Sequence, residues 1–343
     1  MILDRVSRFV SDPQSASFEE LALEAFTFQF ERIEPYRRMC EGRGAVPGKI
    51  DDWRQVPPVP TAAFKSLALA AEPAKEVFRS SGTTGEARSV HHHPYPDLYR
   101  LTIDASFPRY CLPLGGTTPM LSLIPTREQL PDSSLSFMID HVLSKWGTPE
   151  SATAFGSRGV EVAKARSWAG SRQREGKPVL VLATAFALAQ LLDGLERMGL
   201  RFRLPAGSAV FETGGFKGRT QELSREELEE RVATWLGVGS IVREYGMTEL
   251  TSQCYTGEDP GLFLAPSWVR VRVLDPATLE EAPAGTPGLI AVFDLANLGS
   301  AVHVLTEDLG VAEGAGFRLL GRAAGAELRG CSLVVEELRS SAS

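Results

Sequence analysis

Cysteine is scarce in this chain, and positive charge is in deficit. The four cysteines of its 343 residues, Cys40, Cys111, Cys254 and Cys331, stand far apart and form no CxxC pair. That spacing argues against a disulfide framework or a paired-thiolate zinc site, and it fits a reducing, cytoplasmic setting. Lys and Arg number 36 against 43 Asp and Glu, a formal net charge of -7. Binding to nucleic acid neutralises phosphates with clustered Lys and Arg, so nucleic acid is not expected as the main partner. Long apolar runs are lacking too. The longest, at 179–192, is broken by Thr184 and Gln190 and is shorter than the roughly 20 residues of a membrane helix. Residues 1–10 alternate charged and apolar side chains with no apolar core before a small-residue cleavage site, so no signal peptide is expected. Internal repeats and linker-like tracts are absent. A hydrophobic content of 43% supports a large core in one domain or two.

The patterning then gives the organisation. Residues 1 to about 45 read as helical: Ser17-Phe18-Glu19-Glu20 is a capping box, with Leu21, Ala25, Phe28 and Arg32 following at helical spacing, and Pro35 with Gly42 and Gly44 ends the pattern. The proline-rich stretch VPPVPTAAF (56–64) cannot be a regular helix and is expected to cross the surface. PMLSLIP (119–125), VLVLAT (179–184), SAVFET (208–213) and GSIVRE (239–244) read as strands. Leu188, Leu191, Leu192 and Leu195 recur at helical spacing with Gly199 as a stop. Ser224-Arg225-Glu226-Glu227 caps a second helix with Leu228, Val232, Trp235 and Leu236 on its apolar face. Strand alternating with helix implies a parallel sheet with crossover helices. From about 262 the texture changes. WVRVRVLD (268–275) alternates, and 288–294 and 301–305 are short β runs, so an antiparallel β subdomain is expected. The fold class is therefore α/β, with a helical segment at 1–75, a core at 76–261, a β subdomain at 262–320 and a short tail at 321–343.

Two stretches carry chemistry. Ser80-Ser81-Gly82-Thr83-Thr84-Gly85 is a loop of small hydroxyl and glycine residues that can wrap phosphates with backbone N–H groups and hydroxyls; it equally fits a flexible surface loop. It is not a Walker A loop, because GxxxxGK[ST] is absent. Tyr245-Gly246-Met247-Thr248-Glu249 follows a predicted strand, where open α/β sheets bind ligands. The ring could stack on a base, Thr248 could bond a phosphate, and Glu249 could hold Mg²⁺; taken alone, such a stretch is more often a loop than a site.

Together and in this order, the two stretches resemble the adenylate-forming superfamily of acyl-CoA synthetases, adenylation domains and luciferases. Gly214-Gly215 sits where that superfamily places its adenine-pocket backbone, Thr306-Glu307-Asp308 resembles its TGD element, and Gly321-Arg322 resembles the start of its hinge motif. Within it, the chain is most similar to the acyl-protein synthetases of bacterial bioluminescence, the LuxE type. The resemblance runs through PPVPTAAFKS (57–66), SSGTTG, DSSLSFM (132–138), ETGGFKGR (212–219), EYGMTELTSQCY (244–255), LTEDLG (305–310) and GRAAGAELRGCSL (321–333).

The resemblance implies ATP and Mg²⁺ as cofactors and a carboxylic acid, fatty in the family, as substrate. It implies a phosphate loop at 80–85, adenine held by Tyr245, Gly246, Met247 and Gly214-Gly215, ribose held by Asp308 and Arg322, and metal held by Glu249. The acyl group would pass to a cysteine at the position of Cys331, and from there to a reductase or carrier protein; Cys254 is the second choice of thiol. Three departures stand out. The superfamily continues past the hinge as a mobile lid bearing a substrate-contacting lysine, and the resemblance implies a chain without that lid. Lys217 and Lys65 are the candidate replacements for its charge. The lysine that usually ends the phosphate loop is Arg88, and the glycine of TGD is Glu307. A ligase using CoA, a carrier protein or an amine as acceptor is an alternative, as is a non-catalytic subunit that binds nucleotide or a partner. His91-His92-His93 follow the phosphate loop. At helical or strand spacing the three would point to different faces, and no second ligand cluster exists, so a metal site is not expected. A place for one of them near the carboxylate or the phosphates and a solvated loop both remain open. His141 sits in an apolar helical stretch, and Ala183, Ala185 and Ala187 fit either an acyl pocket or plain core packing.

Overall fold

A computed structural model describes residues 1–81, 87–112, 115–214, 223–323 and Leu338. Its helices are α1 (Ile2–Ser11), α2 (Phe18–Arg32), α3 (Glu34–Gly42), α4 (Pro96–Cys111), α5 (Ser134–Trp146), α6 (Val162–Glu175), α7 (Ala185–Arg197) and α8 (Arg225–Leu236). Its strands are β1 (Val59–Pro60), β2 (Glu76–Arg79), β3 (Val90–His93), β4 (Met120–Ser122), β5 (Ala152–Thr153), β6 (Phe155–Gly156), β7 (Gly159–Val160), β8 (Leu180–Thr184), β9 (Ala209–Thr213), β10 (Ile241–Tyr245), β11 (Cys254–Thr256), β12 (Leu262–Leu264), β13 (Val269–Leu274), β14 (Gly288–Asp294), β15 (His303–Glu313) and β16 (Gly316–Arg322). The chain divides into two compact units. One holds residues 1–106, 247–254 and 261–343, and the other holds 107–246 and 255–260.

In the first unit, the antiparallel strands run in the order β13-β14-β15-β16-β12. The alternation of WVRVRVLD sets the first of these in register, with Val271 opposite Val292. The amino-terminal helices belong to this same unit, whereas the sequence separates 1–75 from 262–320. The reason is a buried Gln29 on α2. Its amide nitrogen donates to the carbonyls of Asn297 (3.1 Å) and Leu298 (2.9 Å), and its oxygen accepts from Val302 N (3.0 Å). Phe18 adds edge-on contacts to Trp53 (5.6 Å) and Phe293 (5.8 Å). A fully satisfied buried amide of this kind links distant segments that no local pattern connects. Ser17 caps α2 as expected, accepting from Glu20 N at 3.4 Å. Pro35 does not end the helical run but lies in the first turn of α3, where its missing N–H costs nothing.

The stretch at 56–64 departs from expectation. It holds no α-helix, but neither does it cross the surface. Val56, Val59 and Ala63 are fully buried and Phe64 is 1% exposed. Val59 and Pro60 pair parallel with Val304 and Leu305 of β15, and Thr61–Lys65 forms a 3₁₀ turn. Proline is tolerated there because a two-residue strand asks little of its backbone N–H.

The second unit carries the expected parallel sheet, in the order β10-β9-β8-β4-β5. Leu180, Val181, Leu182 and Ala183 of β8 and Ala209, Val210 and Phe211 of β9 are buried on both faces, as a sheet covered by helices requires. Thr184 starts α7 by accepting from Ala187 N at 3.1 Å. Ser224 and Glu227 form a reciprocal capping box on α8, and Gly237 closes that helix in the left-handed conformation at φ +68°. Each such cap contributes on the order of 1 kcal/mol. Ala183, Ala185 and Ala187 lie in the core with Leu188, Leu191 and Val210, so packing accounts for them.

Candidate active site

β2 and β3 form an antiparallel hairpin, with Arg79 opposite Val90 and Phe78 opposite His91. The connection between them carries the Ser/Gly/Thr motif. Of that motif Ser80 and Ser81 are described; Gly82, Thr83, Thr84 and Gly85 lie outside the described residues. The mouth of the loop is closed by hydrogen bonds between Ser80 and Ser89. Ser89 N donates to Ser80 Oγ at 3.0 Å, and Ser80 N donates to Ser89 O at 3.1 Å. Arg88 folds back over the mouth, its Nε donating to the carbonyl of Ser80. Its guanidinium thus braces the chain's own backbone.

Two of the three adjacent histidines are core residues of the hairpin, contrary to the solvated-loop alternative. Strand alternation puts His91 and His93 on one face, fully buried and 3% exposed, while His92 on the other face is half-buried. His91 Nδ1 lies 2.7 Å from the carbonyl oxygen of Thr248. A carbonyl can only accept, so Nδ1 carries the proton and donates. His93 Nε2 lies 2.9 Å from Thr251 Oγ1. That hydroxyl spends its own proton on Asn297 Oδ1 at 2.8 Å, so His93 Nε2 donates as well. Burial holds both rings neutral: it pushes His91 down to about 4 and His93 well below the ordinary range. Among the described residues no group of three or more His, Cys, Asp or Glu could hold a metal ion.

The hairpin is therefore fastened to the acidic corner, Met247-Thr248-Glu249. Glu249 is 6% exposed and Thr248 half-buried. The backbone carbonyl of Glu249 accepts from Asn297 Nδ2 at 2.9 Å, and the same nitrogen donates to Ala301 O at 2.7 Å. Two successive carbonyls of the corner are thus gripped by buried side chains, one by His91 and the next by Asn297. Just beyond, Asp294 accepts from Thr251 N (3.0 Å), Ser252 N (2.8 Å) and Ser252 Oγ (2.7 Å).

The TED element lies on β15. Thr306 is buried and donates to Ile290 O at 2.8 Å, and its oxygen accepts from Asp308 N at 3.1 Å. Asp308 stands opposite Arg322 of β16. Arg322 Nε lies 3.5 Å from Asp308, and its Nη1 lies 3.6 Å from Glu307. Glu307 thus brings a second carboxylate to the same arginine.

In the second unit, Gly214 follows β9 with φ +69° and open space where a Cβ would stand; a side chain there would be strained. Its neighbour Thr213 donates to Glu244, the residue before Tyr245, and Tyr245 ends β10 buried at 6% exposure. Arg243 is held by Glu229 at 2.7 Å and Glu212 at 3.4 Å. Burial still pushes the Glu212 carboxyl up to about 7. Lys65 is exposed at the end of its 3₁₀ turn. Gly215, Lys217 and Cys331 lie outside the described residues. Cys254 is buried at 3% exposure, which weighs against its use as an open thiol. His141 packs edge-on against Trp146 at 6.1 Å.

The family model of acyl-protein synthetase, LuxE, matches residues 160–339, more than half of the chain. The chain belongs to the LuxE acyl-protein synthetase family. A long-chain-fatty-acid–luciferin-component ligase of Vibrio harveyi is 22% identical over 351 residues, covering 96% of this chain and 92% of the relative. The ligase of the same name from Aliivibrio fischeri is 22% identical and covers 88% and 83%. Among solved structures, a 2-hydroxyisobutyryl-CoA ligase in an open conformation with 2-HIB-AMP and CoA superposes with a TM-score of 0.67 at 16% identity. That match covers 89% of this chain and 69% of the ligase, and at such identity it speaks for the fold alone. The family chain is thus built on the adenylate-forming ligase fold that its sequence resembles.

The sequence flags Ser80, Thr248, Glu249 and Asp308 but misses the residues that hold them. Asn297 and Asp294 lie in apolar surroundings with no motif of their own, and only their distant partners reveal them. His91 and His93 had a signal in their alternation on a short strand.

Proposed function

We propose that this chain is an ATP-dependent ligase that activates a carboxylic acid as its acyl-adenylate and then passes the acyl group to a cysteine thiol. The observation that carries this reading is the hydrogen bond of His91 to Thr248, which joins the hairpin bearing the Ser/Gly/Thr motif to the Thr248-Glu249 corner. In the first step a carboxylate oxygen attacks the α-phosphorus, the bond to the β-phosphate breaks, and pyrophosphate leaves with the electron pair. Ser80, Ser81, Thr83, Thr84 and the backbone of Gly82 and Gly85 are assigned to the β and γ phosphates. Tyr245, Gly246, Met247 and Gly214-Gly215 are assigned to adenine, Asp308 and Arg322 to ribose, and Thr248 to phosphate. The work is positioning and charge stabilisation. Lys65 and Lys217 are the candidate cations for the reacting phosphate.

The donor set fits Mg²⁺ in a restricted sense. Mg²⁺ is commonly held by one or two carboxylates together with substrate phosphates, and Glu249 supplies one carboxylate beside the corner. Bound there with the nucleotide, Mg²⁺ would draw charge from the departing pyrophosphate.

In the second step a thiolate attacks the acyl carbon, a thioester forms, and AMP leaves. Cys331 is the assigned thiol, its thiolate the attacking form. A fatty acid is the substrate class that the luciferin-component ligases suggest, a reductase or carrier protein is the class of acceptor, and the cytoplasm is the assigned compartment. None of the described helices is long and apolar enough to cross a membrane.

The test is ATP–pyrophosphate exchange across a panel of acids, followed by intact mass measurement. Acid-dependent exchange with a hydroxylamine-labile adduct supports the reading. AMP release only on adding CoA or an amine would move the acceptor. ATP binding without exchange for any acid would overturn it in favour of a non-catalytic subunit.

A further inference from the structure

We propose that His91 and His93 are positioning residues for ATP, acting through one defined ring nitrogen each to hold the hairpin arms β2–β3 against the 248–252 segment; this rests on the function proposed above. The geometry is specific. His91 uses Nδ1 on the Thr248 carbonyl at 2.7 Å, and His93 uses Nε2 on the Thr251 hydroxyl at 2.9 Å. Among the described residues, the other ring nitrogen of each, Nε2 of His91 and Nδ1 of His93, is buried without a hydrogen-bond partner. The two rings lie 5.0 Å apart between Phe64, edge-on to His91 at 5.8 Å, and Tyr99, 5.9 Å from His93.

An orphaned buried polar atom costs free energy that an apolar side chain of similar shape would avoid. Packing alone therefore does not call for histidine at either position, and the N–H that is used must offset the unprotonated acceptor nitrogen that is wasted. What the pair fixes is also particular. Thr251 passes the bond on to Asn297, whose amide nitrogen grips the carbonyl of Glu249. His93 therefore reaches the acidic corner through a chain of three hydrogen bonds, while His91 reaches it directly. The two contacts flank Glu249 on either side in sequence. Together they set the distance between the arms that lead into the Ser/Gly/Thr connection and the carboxylate assigned to Mg²⁺.

The chemistry supplies its own control. The amide nitrogen of asparagine sits where histidine carries Nδ1, and that of glutamine sits where it carries Nε2. His91→Asn should therefore keep the contact and His91→Gln lose it, whereas His93→Gln should keep it and His93→Asn lose it. The four variants are compared in ATP–pyrophosphate exchange and in thermal melting. The expected result is a KM for ATP raised about tenfold, the worth of roughly one hydrogen bond, in His91→Gln and His93→Asn. The KM for the acid should stay unchanged, and values should be near those of the parent protein in His91→Asn and His93→Gln. Equal behaviour of Asn and Gln at each position would overturn the inference and leave the pair as packing. So would parallel changes in the KM for ATP and for acid, or failure of all four variants to fold. A parent protein that shows no exchange with any acid contradicts the proposed function instead.

Discussion

Ser252 Oγ donates to Asp294 Oδ1 at 2.7 Å, with both side chains buried. The same carboxylate accepts from the backbone N–H groups of Thr251, Ser252 and Ala296 at 2.8–3.0 Å. Burial raises the carboxyl pKa of Asp294, and these bonds oppose the rise. Asp294 therefore ends β14 and anchors the far side of the acidic corner in one stroke.

Replacing Asp294 with alanine leaves three buried N–H groups and a hydroxyl without their acceptor. Each such group costs about 1–3 kcal/mol, so the substitution should destabilise the fold by at least about 3 kcal/mol. Chemical denaturation measures this as a fall in midpoint. Asp294→Asn, which keeps one amide oxygen as acceptor, should fall between the alanine variant and the parent.

His303 gives a pH prediction. Its Nδ1 donates to Val56 O at 2.7 Å, and burial pushes its pKa down to about 3. The unfolded chain takes up a proton near pH 6.5 and the folded chain does not, so folding is fully favoured above 6.5. Stability is lost as pH falls from there toward 3, by up to about 1.4 kcal/mol per pH unit. His303→Asn keeps the donor to Val56 and removes the titrating ring. Urea midpoints at pH 7.5 and pH 5 should converge between parent and variant on acidification. A constant gap across that range would show that His303 does not titrate this way.

The thiol assignment separates two cysteines. Cys254 is buried in β11, so Cys254→Ser should leave hydroxylamine-labile labelling by an activated acid near the parent level. Cys331→Ser should remove it. Labelling that survives at full level in Cys331→Ser assigns the acyl group elsewhere.

Local patterning made most of the framework legible. VLVLAT became β8, the capping box at Ser224 opened α8, and WVRVRVLD became β13, because each rests on short-range periodicity. The buried course of 56–64 was hidden, since its parallel pairing with Val304 and Leu305 depends on residues far along the chain. The unity of α2 with the late strands was hidden for the same reason, through Gln29. At the site, Thr248 and Glu249 were legible as a motif on a strand end. Their supports were not, because a buried Asn297 or Asp294 has no periodic signature and declares itself only through partners that tertiary structure delivers.

The central claim is that the corner held by His91 and Asn297 presents Glu249 to an ATP-bound metal. ATP–pyrophosphate exchange by Glu249→Gln tests it most directly, because the amide preserves shape while removing the charge. The account predicts a fall of roughly 100-fold or more in exchange with an unchanged melting temperature. Exchange near the parent rate in a folded Glu249→Gln protein would contradict it.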